Sequence, residues 1–144
     1  MELIWRHIVY MKLEKQLEKS LFELTVSNLK SGLRLKVAEL MTSNRMQELN
    51  TLPGSNPILL LNKPPQGYVS LADEIGKDAE GVWYFDPKSR KLLYRFHRWR
   101  SWLFTAPAPW EGQISIQGHG DPHEENGKVK AKIEGVELIV KIRN

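Results

Sequence analysis

The sequence predicts an α+β domain: a long N-terminal α-helix packed on a small antiparallel β-sheet of four to five strands. Three observations lead there. Residues 4 to 41 contain no proline and a single glycine, Gly32. Leu13, Leu17, Leu21, Leu24, Leu29, Leu33, Val37 and Leu40 recur mainly at intervals of three and four, the period of one helix face. The second half instead alternates apolar and polar residues in short runs separated by turn residues, the pattern of strands.

The helix comes first. At 1.5 Å per residue it would reach roughly 55 Å, longer than a domain of this size is wide. One end must project, or the helix must break near Gly32 or the Thr25–Asn28 stretch, where helix propensity is lowest. Lys12, Lys15, Lys19, Glu23, Lys30 and Arg34 fall between the apolar positions and are expected in water. Leu21, Leu24, Leu33, Val37 and Leu40 are expected in the core. The first turns differ. Leu3, Ile4, Trp5, Ile8, Val9 and Met11 point in several directions at about 100° per residue, so no single surface covers them. Residues 1–12 are therefore expected to form a projecting stub, and 13–144 one globular domain.

Thr42-Ser43-Asn44 reads as a helix end and new N-cap, leading to a short helix from Arg45 to Leu49. Leu52 to Pro57 is a turn cluster. Ile58 to Leu61 fits either a short strand or a helical turn. Pro64 and Pro65 place the stretch through Tyr68 in a loop, because proline donates no ladder bond. Gly81 to Phe85 and Leu92 to His97 flank a polar turn at Asp86–Ser89 and form a hairpin. Gln113–Gln117, Lys128–Ile133 and Glu137–Ile142 follow as strands, with Glu134–Val136 turning between the last two. A sheet with one apolar face needs a cover, and the helix stripe is the large partner at hand.

Composition narrows function. The 144 residues suit one domain, and no cysteine is present, which removes disulfides, thiolate nucleophiles and cysteine-ligated metals. The net charge of +4 tolerates nucleic acid or anionic lipid without demanding either. No serine lies in a nucleophile elbow, and no phosphate-binding or dinucleotide fingerprint appears. No catalytic residue and no cofactor is expected. His119, Asp121 and His123 alternate beside Pro122, which suggests a solvated hairpin loop rather than a preset metal site. The densest signal runs from Asp86 to Trp102, where Arg95, Arg98 and Arg100 interleave with Trp99 and Trp102 behind Trp83 and Phe85. Cations beside aromatic faces suit a single-strand nucleic-acid platform or a protein contact. Leu92, Tyr94 and Phe96 share one strand face, so those rings also fit a core.

Gly81-Val82-Trp83-Tyr84-Phe85-Asp86-Pro87-Lys88-Ser89 with Leu92-Leu93-Tyr94-Arg95 resembles the aromatic hairpin of pilin-like proteins of type IV pilus and type II secretion systems. The helix from Glu23 to Leu40, the turn Gly54-Ser55-Asn56-Pro57 and the loop Pro64-Pro65-Gln66-Gly67-Tyr68 are similar to the MSHA pilus biogenesis group. The likeness spans about residues 13 to 96, and the later strands only in kind. It implies a non-enzymatic assembly protein, a pilin-like component or accessory of a pilus or pseudopilus. It implies a periplasmic location, other pilus or secretion-system subunits as partners, and attachment to the inner membrane through an apolar helix that this chain does not contain. The sequence departs from the family in carrying no prepilin leader and no apolar membrane half of the helix. Partner contacts are then expected at Trp83, Phe85, Arg95, Arg98, Trp99, Arg100 and Trp102, and no nucleic acid. The alternative is a basic single-stranded nucleic-acid-binding module using the same arginines and tryptophans.

Overall fold

The computed structural model describes residues 2–98, 110–125 and 128–143, with side chains omitted for 120–125 and 128–134. One α-helix packs on an open antiparallel sheet of four strands in the order β1-β2-β3-β4. Helix α1 runs from Glu2 to Thr42 without a break, about 60 Å at 1.5 Å per residue. Gly32 is therefore no hinge. A Cβ there would lie 2.5 Å from the backbone oxygen of Leu60, so glycine admits the close approach of the following segment. The helix ends where Asn44 takes a positive φ of 58° and the Arg45 N–H donates to Leu40 O at 2.8 Å, a left-handed C-terminal cap.

Two short 3-10 helices follow, Met46–Thr51 and Pro57–Leu60. The second resolves the ambiguity at Ile58–Leu61 in favour of a helical turn. Asn56 caps it, its Oδ1 accepting from the Ile58 N–H at 3.1 Å. The loop through Tyr68 then meets β1: Trp83 N–H donates to Gly67 O and Val69 N–H to Trp83 O. These bonds occupy the outer edge of that strand.

Strands β1 (Val82–Asp86) and β2 (Lys91–Arg95) form the expected hairpin, with Trp83 opposite Tyr94. Asp86 closes the turn, accepting from the Lys88 N–H at 3.0 Å and the Ser89 hydroxyl at 2.9 Å. Those two donors favour the carboxylate and hold it below its usual range. The rest of the sheet is simpler than the sequence suggested. Strand β3 spans Glu111–Glu125 and β4 spans Lys128–Arg143, so the last two runs are one strand. Gly135 does not turn the chain. The strand passes it with a register shift opposite His119 and Gly120.

The covered face carries Trp83, Leu92, Tyr94, Ile114 and Ile116, joined by Val136, Leu138 and Val140. From α1 it receives Phe22, Leu29, Leu33 and Leu40, with Val26 and Val37 partly buried. This corrects the expected stripe. Leu33 and Leu40 are buried and Val37 packs beside them, but Leu21 is 54% and Leu24 56% exposed. Leu21 lies one residue, about 100°, from Phe22, and the larger ring takes the inward direction. A Cβ on Gly112 would lie 2.5 Å from the Phe22 ring, so that glycine makes the seat for it.

The anticipated membrane attachment and periplasmic location are likewise corrected. Among the described residues no helix is long and apolar enough to cross a membrane. Lys12, Glu14, Lys15, Lys19 and Glu23 interrupt the leucines of α1, and each charge opposes transfer into hydrocarbon. Leu3 (81%), Ile4 (68%), Trp5 (67%) and Tyr10 (63%) are exposed, and the first buried helix residue is Glu18.

Leu33→Ala should cost about 2–5 kcal/mol in chemical denaturation, whereas Leu21→Ala should lie within about 0.5 kcal/mol of the parent chain. Gly32→Ala should lower the melting temperature although alanine favours helix by about 1 kcal/mol, because the added methyl meets the Leu60 carbonyl.

Candidate functional site

The most concentrated polar chemistry lies where α1 crosses the end of β2. Glu18 follows Leu17 on the helix and is 9% exposed. Its Oε2 accepts from the Tyr94 hydroxyl at 2.8 Å. Its two oxygens also take the His97 backbone N–H at 3.1 and 3.2 Å, and His97 Nδ1 contacts Oε2. The alternation of β2 explains the convergence. Leu92, Tyr94 and Phe96 face the helix, and the chain then turns so that His97 offers its N–H to the same carboxylate.

Beneath this cluster lies an aromatic nest. Phe22 stacks on Trp83 with centroids 5.5 Å apart and rings 8° from parallel. Tyr94 and Phe96 meet edge to face at 4.9 Å. Tyr94 thus has an apolar ring in the core and a polar tip on Glu18, the arrangement that lets a tyrosine be buried. Burial first, then the Glu18 hydrogen bond and charge, push its ionisation well above the usual tyrosine range.

A groove of about 770 Å³ opens beside the cluster, between Leu17, Leu21 and Leu24 of α1 and the Pro65–Gly67 loop. Both Glu18 oxygens are engaged by Tyr94 and His97, and no buried side-chain polar atom among the described residues lacks a partner. The cluster reads as a clasp that holds the helix to the sheet. No group of three metal-ligating side chains occurs among the described residues. His119 contacts Glu137 at 3.0 Å, and the side chains of Asp121 and His123 lie outside the described residues.

The residues expected at a partner surface are dispersed. Trp83 is in the core at 3% exposure. Phe85 is half-buried on β1. Arg95 donates to Gly76 O at 2.8 Å and Lys77 O at 3.2 Å and lies over the Tyr84 ring, so it pins the preceding loop. Arg98 is exposed beside a small cavity with Glu80 and Trp110. Trp99, Arg100 and Trp102 lie outside the described residues.

Sequence reasoning passed over Glu18 and Phe22. Their signal was present: Glu18, Phe22, Val26, Leu29, Leu33, Val37 and Leu40 also recur at intervals of three and four. The helix carries two such rows, and a glutamate heads the one that is buried. The other row, Tyr10, Leu13, Leu17, Leu21 and Leu24, lies open, with exposures of 63%, 58%, 59%, 54% and 56%.

No family model, curated protein or solved structure matches this chain.

Tyr94→Phe should cost about 1.5–3 kcal/mol, the range for a hydrogen bond to a charged group. It should also change the alkaline limb. A tyrosine whose folded-state pKa is raised stabilises fully below its unfolded value, near 10, and loses that contribution as pH rises above it. Urea midpoints of the parent should therefore fall more steeply than those of Tyr94→Phe above about pH 10.

Proposed function

We propose that this chain is a non-enzymatic structural subunit, a pilin-like component or accessory of a type IV, MSHA-like pilus or a type II secretion pseudopilus. The observation that carries the reading is the open row Tyr10-Leu13-Leu17-Leu21-Leu24, which starts on the first turns of α1 and continues alongside the Glu18 clasp. Five large side chains in one row exceed the scattered apolar exposure of an ordinary monomer surface. Their spacing of three and four residues is that of helix-to-helix packing. In this role the sheet is the rigid body, the Glu18 clasp sets the angle of the helix, and the open row of α1 packs against helices of neighbouring subunits.

The aromatic hairpin supports the same reading through its architecture rather than through surface contacts, since Trp83 and Tyr94 serve the core. The nucleic-acid alternative has less support, because Arg95 is engaged with Gly76 and Lys77.

The test mixes the purified full chain with purified pilus and pseudopilus subunits and follows co-elution and mass by light scattering. The parent chain should form a complex, and Leu17→Glu/Leu24→Glu should abolish it while leaving the melting temperature within a few degrees. Absence of any complex with subunits of either system, or a complex indifferent to the double substitution, would refute the reading.

A further inference from the structure

Among the described residues, one edge of the sheet is left uncovered. At the β1 edge, Trp83 is bonded to Gly67 and Val69. At the other edge, β4 pairs only with β3. Among the described residues the backbone from Val136 to Ile142 has no other partner. Proteins usually protect such an edge with proline, a bulge or an inward-pointing charge. Between Val136 and Ile142 there is none of these. The register shift lies beyond, at His119/Gly120, and the helix-side positions are Val136, Leu138, Val140 and Ile142, all apolar. Ile142 is 46% exposed, and an open groove of about 510 Å³ runs along this edge, lined by Leu33, Val37, Met41, Val136 and Leu138.

We propose that this edge pairs with the same edge of a second copy of the chain, antiparallel about a two-fold axis at Ile139, joining two four-stranded sheets into one. The sequence of β4 selects both the occupant and the register. In an antiparallel pair, directly opposed residues share a face, and a two-fold through Ile139 sets residue i opposite 278 − i. Leu138 then faces Val140 of the second copy, and Val136 faces Ile142. On the outer face Ile139 meets itself, and Glu137 meets Lys141 on both sides of the axis. Every apolar position opposes an apolar one, and each acid opposes a base. Moving the axis by one residue to Val140 sets Ile139 against Lys141. Moving it to Leu138 sets Glu137 against Ile139. Among the described residues Lys141 makes no ion pair, and Glu137 pairs with the imidazole of His119 at 3.0 Å. This association is independent of the open row on α1, which lies on another face of the molecule.

The absence of cysteine allows a direct test in the full chain. Ile139→Cys places one thiol per chain on the proposed axis, where mild oxidation should give a covalent dimer in high yield. Ser89→Cys, in the exposed β1–β2 turn, measures random cross-linking. Adding Glu137→Lys to Ile139→Cys opposes lysine to lysine twice and should reduce dimer affinity roughly tenfold, as like charges opposed in a sheet repel. Lys141→Glu should do the same with two glutamates, and the double exchange Glu137→Lys/Lys141→Glu should restore cross-linking. Sedimentation of the same charge variants with Ile139 intact reads the equilibrium without the thiol. A dimer held by α1 would not bring the two thiols of Ile139→Cys together. Cross-linking of Ile139→Cys no faster than that of Ser89→Cys, or equal in the single and double charge variants, would overturn the proposal.

Discussion

The seat of Phe22 on Gly112 governs the rest of the molecule. One helix must cover the apolar face of four strands, and its rotation about its own axis decides which residues do so. Gly112, near the start of β3, leaves a hollow in that face, and the Phe22 ring enters it and stacks on Trp83. With that direction inward, Glu18 one turn earlier comes over Tyr94, and Leu29, Leu33 and Leu40 follow into the core. The same rotation turns Leu17, Leu21 and Leu24 outward. The buried clasp and the open row are thus two results of one packing choice.

A buried carboxylate carries a desolvation cost that its partners must offset. Glu18 receives a tyrosine hydroxyl, a backbone N–H and an imidazole, so its desolvation is offset by bonds within the fold. The Phe22 seat on Gly112 fixes the rotation of α1. The clasp admits one position only, because its donors stand on β2 and the residues just after it. A helix that extends beyond its sheet gains from such a fixed angle, since a small tilt at the sheet becomes a large displacement at the far end.

Among the described residues two apolar surfaces are open, the row on α1 and the β4 edge. Four strands offer two edges, and the loop before β1 closes only one of them. Helix α1 is 41 residues long, and among the described residues its first turns are mostly exposed. Of the hairpin aromatics that stood out in the sequence, Trp83, Tyr94 and Phe96 are buried inside the molecule. The two open surfaces are mostly aliphatic, with Tyr10 at the start of the row on α1.

The α+β class, the long helix, the β1–β2 hairpin and its Asp86 turn were legible in the sequence, because each rests on local rules. Period, proline, and turn-forming side chains act within a few residues and need no distant partner. Residues 92, 94 and 96 were readable as one face for the same reason. The choice between two apolar rows on α1 was not readable, since both have the helical period and only Gly112, ninety positions from Phe22, favours one. The fusion of the last two strands was hidden by Gly135, which resembles a turn locally but lies opposite a register shift in a continuous ladder. Glu18 carries no local mark of its role, which appears only when Tyr94 and His97 are brought to it. The tertiary structure decided those points because each depends on contacts between residues remote in the chain, and the sequence determined the rest because local chemistry sufficed.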